Sequence, residues 1–361
     1  MSRIPVEVRT FALAELDKLA DVGGFMGRAF AHNPYAASGN CIAKIAGYCE
    51  EHEAGHEYVF PLRIKSAKGE FDGLAGSGLC VDSKYRRSGL GMDLPELRWQ
   101  KSPSKIALGA SLSQMALPVH QLLDYVVFLL PRNIMLWRSR SLIETKVKGF
   151  AAKCVSACVD GMIYFYSLAL SVVRSCKLAG IKLDEVSPDD ETTIDNVSAL
   201  IAEDGAPFAE IHDARWLKWH MTESFSKDGP LRLFVARRKG VVIGFYMTKK
   251  RFHEQASHRG FKNVWLGSVV EWQVKPEFEN KLGWLLIDAA LRLKKSGVDA
   301  VEIPTADNGL NRFFRRLCWR QIGESNFVIK AGEGSPLFGN EEMTKIENWR
   351  LRPAMGDAGL S

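Results

Sequence analysis

The stretch Val81–Leu94, VDSKYRRSGLGMDL, decides how the rest of the chain is read. An apolar run, GSGLCVD at Gly76–Asp82, leads into it and reads as a β-strand, and a helix is expected after it, to about Gln100. Between them stand Arg86, Arg87, Ser88, Gly89, Leu90 and Gly91. Glycine permits tight turning and close backbone approach. Exposed N–H groups at a helix start bind phosphate oxygens, and a neighbouring arginine pair adds charge. On these residues alone a phosphate cradle and a basic surface turn are evenly balanced. The stretch matches neither the P-loop nor the GxGxxG pattern, and Pro95 inside the expected helix removes a backbone hydrogen bond.

Outward from this stretch, the 361 residues are 46% hydrophobic and 25% charged, a globular composition long enough for two cores. The net charge of +6 is spread along the chain, which allows an anionic ligand and argues against nucleic acid as a partner. Seven scattered cysteines without a CxxC pair predict a reducing, cytoplasmic setting with mostly buried thiols. Cys154 and Cys158, one helical turn apart, lack a second ligand pair, so no metal is expected. The opening residues from Met1 to Asp21 do not read as a signal peptide. The apolar run Gly161–Val173 falls short of the roughly 20 residues a spanning helix needs. It is expected as a buried helix rather than a transmembrane segment, with interfacial membrane contact left open.

An acidic, Pro-containing segment, KLDEVSPDDETTIDN at Lys182–Asn196, suggests a linker. The expected organisation is a first domain at 1–180, a linker at 181–196, a second domain at 197–345 and a tail at 346–361. The second domain reads as a hairpin (Leu231–Arg237, Val241–Met247), a strand at Val264–Val274, a helix at Leu282–Leu293, a strand at Val298–Ile303, a short helix at Asn308–Leu317 and a last strand near Phe327–Lys330. The first domain echoes that order, with strands at His56–Lys65, Gly76–Asp82 and Lys105–Leu108 and a helix at Val119–Val127. The class is α+β, each domain a mixed sheet flanked by helices.

LCVDSKYRRSGLGMDL resembles motif A of the GCN5-related N-acetyltransferases, a strand followed by Arg/Gln-x-x-Gly-x-Gly/Ala and a helix, with Arg86, Gly89 and Gly91 at the matching positions. With Asn33-Pro34-Tyr35 and the tryptophan-rich second half, the chain resembles tandem members of that family often encoded near polysaccharide or cell-envelope synthesis genes. The resemblance implies a tandem acyl-CoA N-acyltransferase fold. It implies a pyrophosphate cradle of Arg86, Arg87, Ser88, Gly89, Leu90, Gly91 and Met92, with the thioester of acetyl-CoA or another acyl-CoA near Cys80 and Val81 in a gap beside a splayed strand. The implied acceptor is a small-molecule amine, amino sugar or hydroxyl compound. In the second half, VEWQVKPEFENKLGWLLIDA at Val270–Ala289 keeps the strand and Gly283 but lacks the arginine and the first glycine, which implies a weakened cradle. Phe314 and Cys318-Trp319 stand where the family has Tyr-x-x-x-Gly-Phe, so the phenyl ring cannot donate the tyrosine's proton. The helix carrying Phe314 also holds Arg312, Arg315 and Arg316, with Arg320 just beyond, and these could contact an anion.

Direct transfer needs a base for the amine and an acid for the leaving thiolate. His120 and Tyr125 are the ionisable candidates in the first half, and Asp72, Asp82 and Glu271 are the candidate bases, with no choice among them. Cys80 is expected as a buried small hydrophobe rather than a nucleophile. Two further readings stay open: an aminoacyl-tRNA-dependent transferase of cell-envelope precursor synthesis, and a non-catalytic CoA-binding or regulatory module. Oligomeric state, including a homo-oligomer, is also open.

Overall fold

A computed structural model of the chain describes residues 6–13, 15, 33–36, 41–110, 112–113, 115–139, 143, 150–223, 229–253 and 263–355. The ends of the expected tail, from Gly356, and most of the opening segment lie outside the described residues. The chain forms two compact units interleaved in sequence. Unit 1 takes 1–130, 204–225 and 325–361, and unit 2 takes 131–203 and 226–324.

In unit 1, β1 (Glu7–Ala12), β2 (Ile42–Cys49), β3 (His52–Ser66) and β4 (Gly69–Val81) form an antiparallel meander. Helix α1 (Leu90–Lys101) then crosses over to β5 (Ile106–Ala110), which pairs with β4 in parallel. A parallel pair requires such a crossover. Helix α2 (Ala116–Leu122) follows, and β6 (Val126–Leu136) carries the chain out of unit 1 at Leu130.

Unit 2 repeats the plan. Pro131–Leu136 of β6 is followed by α3 (Phe150–Lys177), β7 (Lys182–Glu185) and α4 (Glu191–Ala202). The chain then returns to unit 1 for the short β8 (Ala209–Glu210), which pairs with β3, and α5 (Ala214–Thr222). In unit 2 again, β9 (Arg232–Arg238), β10 (Val241–His253) and β11 (Val264–Val274) are antiparallel, and α6 (Glu279–Lys295) crosses to β12 (Ala300–Pro304), parallel to β11. Helix α7 (Asn308–Arg316) precedes β13 (Arg320–Ala331). Each half surrenders its last strand: β13 pairs with β5 in unit 1 through Phe327–Ala331, whereas β6 pairs with β12 in unit 2. The architecture is α+β, mixed sheet and flanking helices.

Several expectations need correction. The acidic segment is no linker: Lys182–Glu185 is strand β7, paired with β9, and Asp190 caps α4 by accepting the Thr193 N–H at 3.0 Å. Its charge sits on solvated faces of regular elements, which composition alone cannot distinguish from a loop. The helix expected at Val119–Val127 ends at Leu122, and the chain re-enters a strand at Val126. None of the seven thiols is buried; five, including Cys80, are exposed. The run Gly161–Val173 belongs to the much longer α3, most of which faces outward rather than inward.

Candidate acyl-donor site

Strand β4 ends at Val81, and Asp82 closes a single helical turn over Ser83–Tyr85 by accepting the Lys84 N–H at 2.9 Å. That bond, with burial nearly absent, holds its carboxyl below the usual range. Ser88 is buried. Its N–H donates to the Tyr85 carbonyl at 2.9 Å, and its Oγ accepts the Leu90 N–H at 3.2 Å. Gly89 then takes φ +93°, the left-handed conformation that disfavours side chains, and α1 begins. Leu90 and Leu94 anchor the helix among Ile45, Ala54, Val59 and Leu74, and Gly47 on β2 and Gly55 on β3 leave room for the Leu90 methyls.

The result is a fixed turn with unspent donors. The first-turn amides of a helix lack intrahelical partners. Here the Leu90 N–H is taken by Ser88, and the Met92 and Asp93 N–H groups by the Gly89 carbonyl. Among the described residues, the N–H groups of Arg87, Gly89 and Gly91 have no hydrogen-bond acceptor. The Arg86 and Arg87 side chains are exposed beside them, and a side chain at Gly91 would meet only Val81 Cγ2, at 3.9 Å. Of the expected cradle, Leu90 and Met92 therefore lend shape rather than amides; Leu90 is core.

A fork opens next to this turn. The β4–β5 ladder runs Leu74–Ala107, Ala75–Leu108 and Gly76–Gly109 and stops, while β4 continues to Val81. Gly78, at φ +63°, and Leu79 bulge opposite Glu57 of β3. Among the described residues the β4–β5 ladder does not continue past Gly76, so the strand edge turned from β3 beside Cys80 has no β5 partner there. Cys80 and Val81 lie on this free arm.

His120 and Tyr125 are brought together, but in a buried polar cluster. The Arg98 guanidinium pairs with Glu57, its Nη2 donates to the Tyr125 oxygen at 3.3 Å, and it approaches His120 Nε2 at 3.4 Å. Tyr125 in turn donates to the Pro95 carbonyl at 3.1 Å. His120 Nδ1 lies 2.9 Å from the Ala116 carbonyl, which makes Nδ1 the donor and Nε2 the acceptor in a neutral ring. Burial, then the adjacent guanidinium, lower the His120 pKa to about 4, and burial raises that of Tyr125. Gly76 is required here, because a Cβ would overlap the guanidinium. The cluster also shows how Pro95 is accommodated: α1 runs unbroken through it, and the Pro95 carbonyl is tied down by Tyr125. Glu57 and Arg98 were missed in the sequence. The one legible signal was a lone arginine on the sheet-facing side of an apolar helix opposite GSG.

The other candidate bases stand elsewhere. Asp72 is exposed at the far end of β4, eight residues from Cys80 or roughly 27 Å of extended strand. It lines a cavity of about 580 Å³ with Tyr35, Arg63, Lys101 and Arg215. Pro34 and Tyr35 border the same cavity, with the Tyr35 hydroxyl donating to the Ile211 carbonyl at 2.7 Å. Glu271 is fully buried in β11 of unit 2, where its carboxylate accepts the N–H of Trp272 at 3.1 Å, so it belongs to the other unit from the loop. No group of three or more His, Cys, Asp or Glu side chains able to hold a metal occurs among the described residues.

Unit 2 carries the counterpart loop. Phe278 stands in for Arg86 and Lys281 for Gly89, and a Cβ on Gly283 would come within 2.8–2.9 Å of the Phe313 ring. The glycine here serves ring packing, with Trp284 edge-on to Phe313 at 5.3 Å. The fork between β11 and β12 ends at Ser268–Glu302, where Ser268 Oγ donates to Glu302 at 2.8 Å and Arg132 pairs with the same carboxylate. Phe314, in the family's tyrosine position, is core.

No protein-family model and no curated protein matches the chain. Solved structures do. Saccharomyces cerevisiae N-myristoyltransferase with bound myristoyl-CoA superposes with a TM-score of 0.60 at 13% identity, over 91% of this chain and 79% of that one. A GCN5-related N-acetyltransferase from Anabaena variabilis gives 0.52 at 9%, over 91% and 73%. A probable N-acyltransferase from Enterococcus faecalis gives 0.50 at 12%, over 90% and 72%. The chain has the N-acyltransferase fold.

Proposed function

We propose that the chain is an acyl-CoA-dependent N-acyltransferase with one donor site, in unit 1. The observation that carries this reading is the open turn at Arg86–Gly91: three amides without an acceptor among the described residues, two exposed arginines and a left-handed glycine, next to a forked strand pair. The Arg87, Gly89 and Gly91 amides and the arginine side chains would hold the pyrophosphate. The free edge of β4 beyond Gly76 would hydrogen-bond the pantetheine arm and bring the thioester beside the Gly78–Leu79 bulge, near Cys80 and Val81.

The reaction is direct transfer: an amine nitrogen attacks the thioester carbon, the C–S bond breaks, the amine loses a proton and the thiolate gains one. Backbone N–H groups of β4 would steady the oxyanion, and alignment of two bound substrates supplies much of the rate. The acceptor is a small amine or amino sugar, and the acyl group is acetyl or a longer chain, the latter suggested by the myristoyl-CoA of the yeast neighbour. Asp82 serves to shape the turn, because its carboxylate is spent on Lys84.

One observation favours a second reading, a CoA-binding module without turnover: the expected acid–base pair, His120 and Tyr125, is sealed in the Arg98 cluster. Calorimetry with acetyl-CoA and myristoyl-CoA, followed by an amine panel read by mass spectrometry, separates the two. Exposed thiols on the protein rule out a thiol-reagent readout. Binding with product supports the enzyme, binding without product supports the module, and no binding removes both.

A further inference from the structure

We infer that unit 2 docks on an anionic lipid surface through the outward face of α3. Lys153–Lys177 is apolar enough and long enough to cross a membrane, yet only 17% of an 18-residue apolar window within it is buried. Its inner face packs on the unit 2 core through Ile163, Tyr166 and Leu170 and carries the charges between Cys154 and Cys176: Asp160 accepts the Ser139 N–H at 2.7 Å, and Arg174 pairs with Asp288 at 3.4 Å. A helix with one face so committed lies along a bilayer and does not thread it.

The outward face differs. From Cys154 to Cys176, about 34 Å of helix, it carries no charged side chain. Met162, Tyr164, Phe165, Leu168, Val172 and Val173 are 40–71% exposed along it. Contiguous exposed apolar surface of this extent marks an interaction site.

Charge decides the partner. Lys153 and Lys177 mark the ends, and both are exposed. On one flank Lys294 of α6 donates to Ser167 and lies 5.7 Å from the Tyr164 ring centroid. On the other, Tyr166 donates to the Leu317 carbonyl, which sets the exposed Arg315, Arg316 and Arg320 beside the helix. An apolar ridge between basic shoulders fits acyl chains below phosphate headgroups. A second copy of this chain would oppose those shoulders to one another.

The test is sedimentation of the full chain with vesicles of phosphatidylcholine alone and of phosphatidylcholine mixed equally with phosphatidylglycerol, with size-exclusion light scattering alongside. Expected is partition about tenfold stronger into the anionic vesicles, weakened by salt. Phe165→Glu with Val172→Glu should abolish it without changing the melting temperature, since both positions are exposed. Arg315→Gln with Arg316→Gln should lower only the anionic preference. Absence of vesicle binding overturns the inference. So does a wild-type dimer that Phe165→Glu converts to monomer, which would make the face a contact between copies.

Discussion

Two turns stand at the same place in the two units, each between a bulged strand and a crossover helix, and they differ in what fills them. At Arg86–Gly91 the glycine faces open space and the amides are unspent; at Phe278–Gly283 the glycine faces the Phe313 ring. Seven residues beyond each glycine, α1 places the buried Arg98 and α6 the buried Ala290. Both helix starts carry a glycine, but packing demands it only at Gly283, and only the first turn keeps donors free. A retained glycine is therefore no sign of a retained site; what occupies the space above it is.

Five substitutions probe this difference. Arg98→Met has the largest expected effect. It strips the buried Glu57 carboxylate of its guanidinium and should cost about 3–5 kcal/mol in urea unfolding, whereas Ala290→Ser in the second helix should cost far less. Acid titration of stability comes next. His120 is neutral in the fold, with a pKa near 4 against 6.5 when unfolded. Its contribution is complete above pH 6.5 and is lost as pH falls towards 4, roughly 3 kcal/mol in all. His120→Asn should flatten that part of the pH profile, and an unchanged profile would mean the ring is not held neutral.

Gly91→Phe copies the second turn into the first. Because a Cβ at Gly91 meets only Val81 at 3.9 Å, the fold should tolerate it, while acyl-CoA affinity should fall about hundredfold, near 2.7 kcal/mol. Gly283→Ala is the mirror test: it presses on Phe313, should cost about 1–3 kcal/mol by overpacking, and should leave acyl-CoA affinity unchanged. If Gly283→Ala weakened binding instead, the second turn would be a live site.

Much of this was legible in the sequence. The strand, the Arg-x-x-Gly-x-Gly turn and the helix appear where VDSKYRRSGLGMDL places them, and the missing Arg and first Gly, with Glu279 and Asn280 in that region, pointed to the weakened turn. What sequence could not show depends on contacts distant along the chain. Strand β13 completes the unit 1 sheet from more than 200 residues beyond β5, and no local periodicity records a partner. Lys182–Glu185 looked like a linker because its charges face water on an edge strand. His120 and Tyr125 look like acid–base groups in the sequence because the arginine that neutralises that role lies on another helix.

The central claim is one donor site per chain, at the first turn. Isothermal titration of the full chain with acetyl-CoA and myristoyl-CoA, on the wild type and on Gly91→Phe and Gly283→Ala, tests it directly. The expected result is one molecule bound per chain, lost in Gly91→Phe and retained in Gly283→Ala. Two molecules per chain, or undiminished binding to Gly91→Phe, would contradict it.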